Sequence, residues 1–229
     1  MPVFDLADSE VRALNSALRA LDADSNETAW TVEHPLGKHA IAAGLDRDLS
    51  VSVNGHVGYY CAGMNKHAEV TIHGNAGVGV AENMMSGFVH VTGDASQSAG
   101  ASAHGGLLRV DGNASARCGI SLKGADIVVQ GSVGHMSAFM AQAGTLVVFG
   151  DAGEALGDSL YEAKLFVRGT VAGCGADCIE KAMDENNRAH LAAVLEKAGL
   201  AGTVDPAEFR RYGSARELYH FKVDNLAAY

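Results

Sequence analysis

Seven glycines stand 19 residues apart without one insertion: Gly55, Gly74, Gly93, Gly112, Gly131, Gly150 and Gly169. Each closes a short apolar pattern, from Val51-Ser-Val-Asn-Gly55 to Leu165-Phe-Val-Arg-Gly169. Two residues before the glycine stand Val53, Ile72, Val91, Val110, Val129, Val148 and Val167. Four before it stand Val51, Val70, Val89, Leu108, Ile127, Leu146 and Leu165. This is the period-2 alternation of a strand with one face inward. A fixed period marks a repeat architecture. This one is too short for a pair of helices, and its strand signal excludes a helical array. Each repeat is therefore one turn of a coil of stacked strands. Left-handed coils built on hexapeptides need turns in multiples of six, a register that 19 breaks. The sequence thus predicts an all-β chain, a right-handed single-stranded parallel β-helix of seven 19-residue turns. With ~4.8 Å between turns, the rod is about 30 Å long.

The glycine and proline content serves this coil. Of 28 Gly, 23 lie between Gly55 and Gly175, and the three Pro stand at 2, 35 and 206. Tight corners joining strands whose every N–H is needed have this composition. Three residues after the anchor glycine stand Gly58, Gly77, Ser96, Ser115, Gly134, Gly153 and Ala172. Seven after it stand Ala62, Ala81, Gly100, Gly119, Ala138, Gly157 and Ala176. Only small side chains fill these columns, as expected of stacked corners with little volume or with φ > 0.

Three regions follow: 1–50, an N-terminal helix and irregular first coil; 51–176, the β-helix; and 177–229, a C-terminal helix and an aromatic, basic tail. In the first, Val11, Leu14, Leu18 and Leu21 recur at helical spacing after Asp8-Ser9, a candidate N-cap. Gly37 lies one residue off the register. In the last, Asp177-Cys-Ile-Glu180 has capping-box spacing and predicts a helix running to Gly199, while Asp205-Pro206 predicts another short one. These helices are expected to cover the open ends of the rod, or to dock a partner.

No residue constellation points to catalysis by this chain. Seventeen basic against 27 acidic residues leave a net charge of −10, which disfavours nucleic acid or an anionic membrane as partner. No apolar run is long enough to span a membrane, and Met1-Pro2-Val3-Phe4-Asp5 lacks the features of a secretion signal. Four Cys are too few for a disulfide scaffold, so a reducing cytoplasm is the expected compartment. Cys174-Gly-Ala-Asp-Cys178 stands alone and cannot by itself hold zinc or an iron–sulfur cluster, so buried or idle thiols are expected. His73 and His90 lie on adjacent rungs but lack further ligands at zinc spacing. The residues after the anchor glycines are His56, Asn75, Asp94, Asn113, Ser132, Asp151 and Thr170. They are expected to be turn residues bonding local backbone rather than a sugar-binding strip. Gly74-Asn-Ala-Gly77-Val-Gly79 has dinucleotide-loop spacing without the helix that should follow, and no Gly-x-Ser-x-Gly elbow occurs. No catalytic, cofactor-binding or metal residue is therefore expected.

Gly55-His-Val-Gly58, Gly74-Asn-Ala-Gly77-Val-Gly79, Gly93-Asp-Ala95 and Gly150-Asp-Ala-Gly153 resemble the GXGXG domain that closes the large subunit of glutamate synthase, over about residues 51–176. That domain is a right-handed β-helix. The stretch from Gly157 to Gly169, with Gly175-Ala-Asp-Cys178, is more similar to a group in which the domain is a separate protein. This group holds the B subunit of N-methylglutamate synthase and its glutamate-synthase-like glyoxylate-cluster relatives. The resemblance implies a hetero-oligomer. A class-II amidotransferase-like subunit and a synthase-like subunit with FMN and an iron–sulfur cluster would supply the chemistry, making N-methylglutamate and ammonia from methylamine and L-glutamate. It implies no cofactor and no catalytic residue on this chain. The residues agree, since Pro2 follows Met1 where that amidotransferase class needs Cys, and the β/α pattern of a flavin barrel, ~200–250 residues, is missing. The same repeat is found in the C subunit of formylmethanofuran dehydrogenase and in bacterial formyltransferase/hydrolase complexes, which is the alternative expectation. A free-standing polysaccharide-active β-helix is a third. A rod without an active site acts through the surfaces it offers, and aromatics and Arg dominate interface energetics. Phe209, Arg210, Arg211, Tyr212, Arg216, Tyr219 and Phe221 are therefore the expected partner-docking residues. The competing expectation is that the tail folds back and covers its own sheet.

Overall fold

The structure, a computed structural model, describes residues 2–21 and 28–216. Its elements run β1 (Val3–Asp5), α1 (Val11–Ala20), β2 (Ala29–Glu33), β3 (Ser50–Asn54), β4 (Glu69–Ile72), β5 (Phe88–Val91), β6 (Leu107–Val110), β7 (Lys123–Val129), β8 (Ala143–Val148), β9 (Lys164–Val167), β10 (Cys178–Lys181), α2 (Glu185–Lys197), a 3₁₀ turn (Pro206–Glu208) and β11 (Arg210–Ser214). The strands form one sheet in the order β1 to β9, then β11, then β10. From β3 to β9 each neighbour is parallel and one repeat away, as in Val51↔Val70, Val89↔Leu108 and Leu146↔Leu165, save for a register shift between Lys123 and Asp126 at the start of β7. A second ladder, Val57↔Ala76 through Ala152↔Val171, advances by the same step. The chain is a parallel β-solenoid of about seven turns, as the glycine spacing predicts.

Both apolar columns point inward, and every residue from Val53 to Val167 in one and from Val51 to Leu165 in the other is at most 1% exposed. Two further columns, which the strand alternation does not reveal, complete the filling. They are Cys61, Val80, Ala99, Cys118, Ser137 and Leu156, and Asn65, Met84, Ala103, Leu122, Ala141 and Leu160. Full burial of each Val, Leu or Ile stabilises by ~1.5–3 kcal/mol, so these columns dominate the stability of the rod.

The small-residue columns have two separate causes. Ala62, Ala81, Gly100, Gly119, Ala138 and Gly157 have φ between 52° and 67°, in the left-handed region. At Gly58, Gly77 and Gly134 the cause is space, since a Cβ would lie closer than 3.0 Å to the neighbouring turn.

The polar column corrects the expected local bonding, for it bonds from turn to turn. The Asp94 N–H donates to Asn75 Oδ1 at 2.9 Å, Asn113 N–H to Asp94 Oδ1 at 2.7 Å, and Ser132 N–H to Asn113 Oδ1 at 2.9 Å. Asp151 N–H donates to Ser132 Oγ at 2.9 Å and Thr170 N–H to Asp151 Oδ1 at 2.7 Å. Each side chain lies over the next anchor glycine, where a Cβ would collide with it. One column thus explains the residue type of the other.

The flanks cover both ends and one side. Leu14 and Leu18 of α1 join Leu6 in the core of the first turn. The N-cap is Glu10, without a side-chain bond, rather than Asp8-Ser9. The first coil begins at β2, where Val32 faces Val53 at a step two residues longer than the repeat. The helix expected from Asp177 starts later. Cys178–Lys181 pairs antiparallel with β11, and the Asp177 carbonyl accepts from Ala215 N–H, so these backbone groups are committed to sheet. The helix opens instead at Asp184, whose side chain accepts from Asn187 N–H at 2.8 Å. The short helix expected at Asp205-Pro206 is a 3₁₀ turn with its capping box formed.

Candidate docking surfaces

The outward residues of the strands sort by end. Ser52, Thr71, His90 and Arg109 give way to Val128, Val147 and Phe166. The apolar half seats α2, whose Leu191, Val194, Leu195 and Ala198 pack on Val128, Val147 and Phe166, with Phe209, as a second core outside the coil. At the junction, Asp111 accepts from Arg109 Nε at 2.7 Å and from Gln130 Nε2 at 2.5 Å, and pairs with His90 Nε2 at 2.8 Å. Burial raises the Asp111 carboxyl, but the hydrogen bonds of His90 and Arg109 outweigh it and hold the group below its ordinary range. Beside the end of α2 lies an open groove of about 450 Å³ lined by Glu69, Phe88, Leu107, Asp126 and Lys197, the last two paired at 3.1 Å.

The expected docking residues divide. Phe209 and Tyr212 are only 2% and 3% exposed. Phe209 meets Phe149 edge-on at 5.4 Å in the second core, and Tyr212 closes the end of the solenoid core. Neither offers its ring to a partner in this fold, because β11 pairs with the otherwise bare edge of β9 and carries Tyr212, with Phe209 just before it, against the two cores. Arg211 is half-buried. Arg210 is exposed and donates to the Gly169 carbonyl at 2.6 Å, and exposed Arg216 pairs with Asp177. Tyr219 and Phe221 lie outside the described residues.

Sequence reasoning missed an exposed aromatic group at the other end. Tyr59 and Tyr60 are each 49% exposed. The His39 ring stacks on Tyr59 at 4.5 Å, and Tyr60 stands edge-on to Tyr59 at 6.4 Å. Tyr60 and Met64 have φ of 59° and 56°, and Met64 is 59% exposed at the same corner. The signal was the pairing of two tyrosines in columns that hold mostly small or polar residues elsewhere.

Among the described residues no three His, Cys, Asp or Glu side chains converge to hold a metal ion, and no helix is long and apolar enough to cross a membrane. No family model matches the chain. Protein GlxC of Rhizobium meliloti (strain 1021) is 61% identical over 229 residues, covering 100% of both chains.

Proposed function

Because the chain belongs to the GlxC family, we propose that it is the non-catalytic β-helix subunit of a glutamate-synthase-like multi-subunit enzyme. The reaction proposed is that of N-methylglutamate synthase, methylamine and L-glutamate giving N-methylglutamate and ammonia. This chain scaffolds an amidotransferase-like subunit and an FMN- and iron–sulfur-carrying synthase-like subunit, and binds no cofactor itself.

The observation that carries the reading is the end-to-end match with Protein GlxC. The glycine columns that resemble the GXGXG domain of glutamate synthase support the assembly. The packed interior supports a scaffold, since its four columns leave functional chemistry to the outer surfaces. Exposed Arg210 and Arg216, with Tyr219 and Phe221, are the proposed docking residues.

Affinity purification from cells carrying the neighbouring genes, with mass spectrometry of the bound chains, tests the reading. Amidotransferase-like and flavin-bearing synthase-like partners are expected, and the complex should form N-methylglutamate from methylamine and L-glutamate. Amidohydrolase and formyltransferase partners would move the scaffold to the other pathway. A pure subunit with a flavin absorbance band would overturn the non-catalytic role.

A further inference from the structure

The strands that close the C-terminal end of the sheet bring cations together without a counter-charge. Lys181 of β10 stands directly across from Arg211 of β11, and Arg211 across from Phe166 of β9. The same register, carried one step further, sets Lys164 beside Gly213. Like charges directly opposite on a sheet repel, yet these side chains do not splay apart. A Cβ built on Gly213 would meet Lys181 Cδ at 3.5 Å, Arg211 Nη2 at 3.6 Å and Lys181 Cε at 3.8 Å, so both arms lie over that one glycine. Lys164, Lys181 and Arg211 are each half-buried. Among the described residues no carboxylate pairs with any of them, and the Arg211 Nε–H is buried and donates to nothing. Their neighbours are met: Arg168 by Glu208, Arg210 by the Gly169 carbonyl and Glu180, and Arg216 by Asp177. Acids are in excess on a chain of net charge −10, so the unmatched charge is particular to this face.

We infer that Lys164, Lys181 and Arg211 form a binding site for a phosphate group, seated over Gly213. Nε and Nη2 share one edge of a guanidinium, and such an edge donates to two phosphate oxygens as a bidentate pair. Nη2 is the Arg211 atom over Gly213, so the unmet Nε–H becomes the second donor of that pair. The Lys181 ammonium comes from the opposing strand, and its flexible stem can turn to admit the ion. Lys164 adds a third charge from β9. Cations from three strands suit a tetrahedral ion of charge near −2 better than a flat carboxylate of charge −1. Gly213 contributes by lacking a side chain, because a branched one would part the two arms. Inorganic phosphate and the phosphate of a small monoester present the same chemistry to these groups.

Isothermal titration of the full chain with inorganic phosphate tests the site, with chloride holding the ionic strength constant. One phosphate per chain is expected, with a rise in melting temperature as phosphate is added. Arg211→Gln should weaken binding about tenfold or more, the effect of losing charge-assisted hydrogen bonds. Should that variant fail to fold, Lys181→Gln takes its place with the same expected direction. Gly213→Val keeps all the charges and should also weaken binding. Lys123→Gln, which removes an exposed cation elsewhere on the rod, should leave it unchanged. Methyl phosphate distinguishes the sources: tighter binding than phosphate assigns the site to a monoester, weaker binding to the free ion, and either supports it. An absence of phosphate binding would overturn the site. So would acetate binding as tightly as phosphate, or Lys123→Gln weakening it as much as the Arg211 or Lys181 variant.

Discussion

The guanidinium of Arg109 donates to the backbone carbonyl of Ala198 at 2.9 Å, joining β6 to the C-terminal end of α2 across 89 residues of sequence. The same side chain donates to Asp111. A cation at a helix C-terminus meets the orphan carbonyls and the negative end of the macrodipole. Arg109 thus holds the side helix where the apolar seat runs out.

Arg109→Met should release this end of α2 while leaving the coil intact. Hydrogen bonds to charged groups contribute ~1.5–3 kcal/mol, which sets the expected loss of global stability at its lower part. Amide exchange should quicken in the last turns of α2 and stay unchanged in β3 and β4. Uniform quickening across the coil would contradict the assigned role.

Gly131→Ala tests the turn-to-turn ladder. An added Cβ would stand 2.5 Å from Asn113 Oδ1 and 2.7 Å from the Gly112 carbonyl. The expected cost is about 1–3 kcal/mol, read from denaturant unfolding. Asn113→Ala alone removes the bond from Ser132 N–H and a longer, exposed one to Asp94 Oδ1, and should cost about 1–2 kcal/mol. Together the two should recover only part of the damage, because the Gly112 carbonyl remains in the way. Full recovery would place the crowding on the side chain alone.

His190 gives the second core a dependence on pH. Burial, then the Lys164 charge, lowers its pKa below 6.5, and its Nε2 lies 2.9 Å from Thr145 Oγ1. With the folded value depressed, the unfolded chain binds the proton more readily. The stabilisation is whole above about 6.5 and fades as pH falls from there toward the folded value. Melting curves of the parent and His190→Gln at pH 7.5 and 5.5 should show a smaller acid-side drop in the variant. Equal drops would assign the dependence to other groups.

Tyr219→Ala with Phe221→Ala should abolish co-elution with the proposed partners without lowering the melting temperature. Removing everything after Leu200 is a poorer test, because it also strips Phe209 and Tyr212 from the two cores. Retained co-elution of the double variant would move docking to another surface, Tyr59 and Tyr60 first.

What could be read in the sequence was whatever the repeat imposed on every turn. Inward columns such as Val53 to Val167 recur identically, so their face needs no tertiary information. Singular features were harder. Asp177 to Glu180 has the local spacing of a helix start, yet the bare edge of β9 draws in β11, which claims that backbone for sheet. Phe209 and Tyr212 look like surface anchors because nothing local reveals the cores they fill. The seat of α2 was present in outline, since the outward column turns apolar at Val128, Val147 and Phe166. Asn75 and its successors read as turn residues because only the stacking brings the next turn's N–H within reach.

From β3 to β9 each coil of this rod meets only the coil before it and the coil after it, with the inward columns at an offset of 19 residues. Excising residues 94–112 would bring Asn113 N–H to Asn75 Oδ1, and Ile127 onto Val89, so every ladder would close again with its own kind. The span between the α1 end and the β11 end would shorten by about 4.8 Å, one strand spacing. Length here is quantised: the protein can be made longer or shorter only by whole turns, as a gauge block is built up from plates.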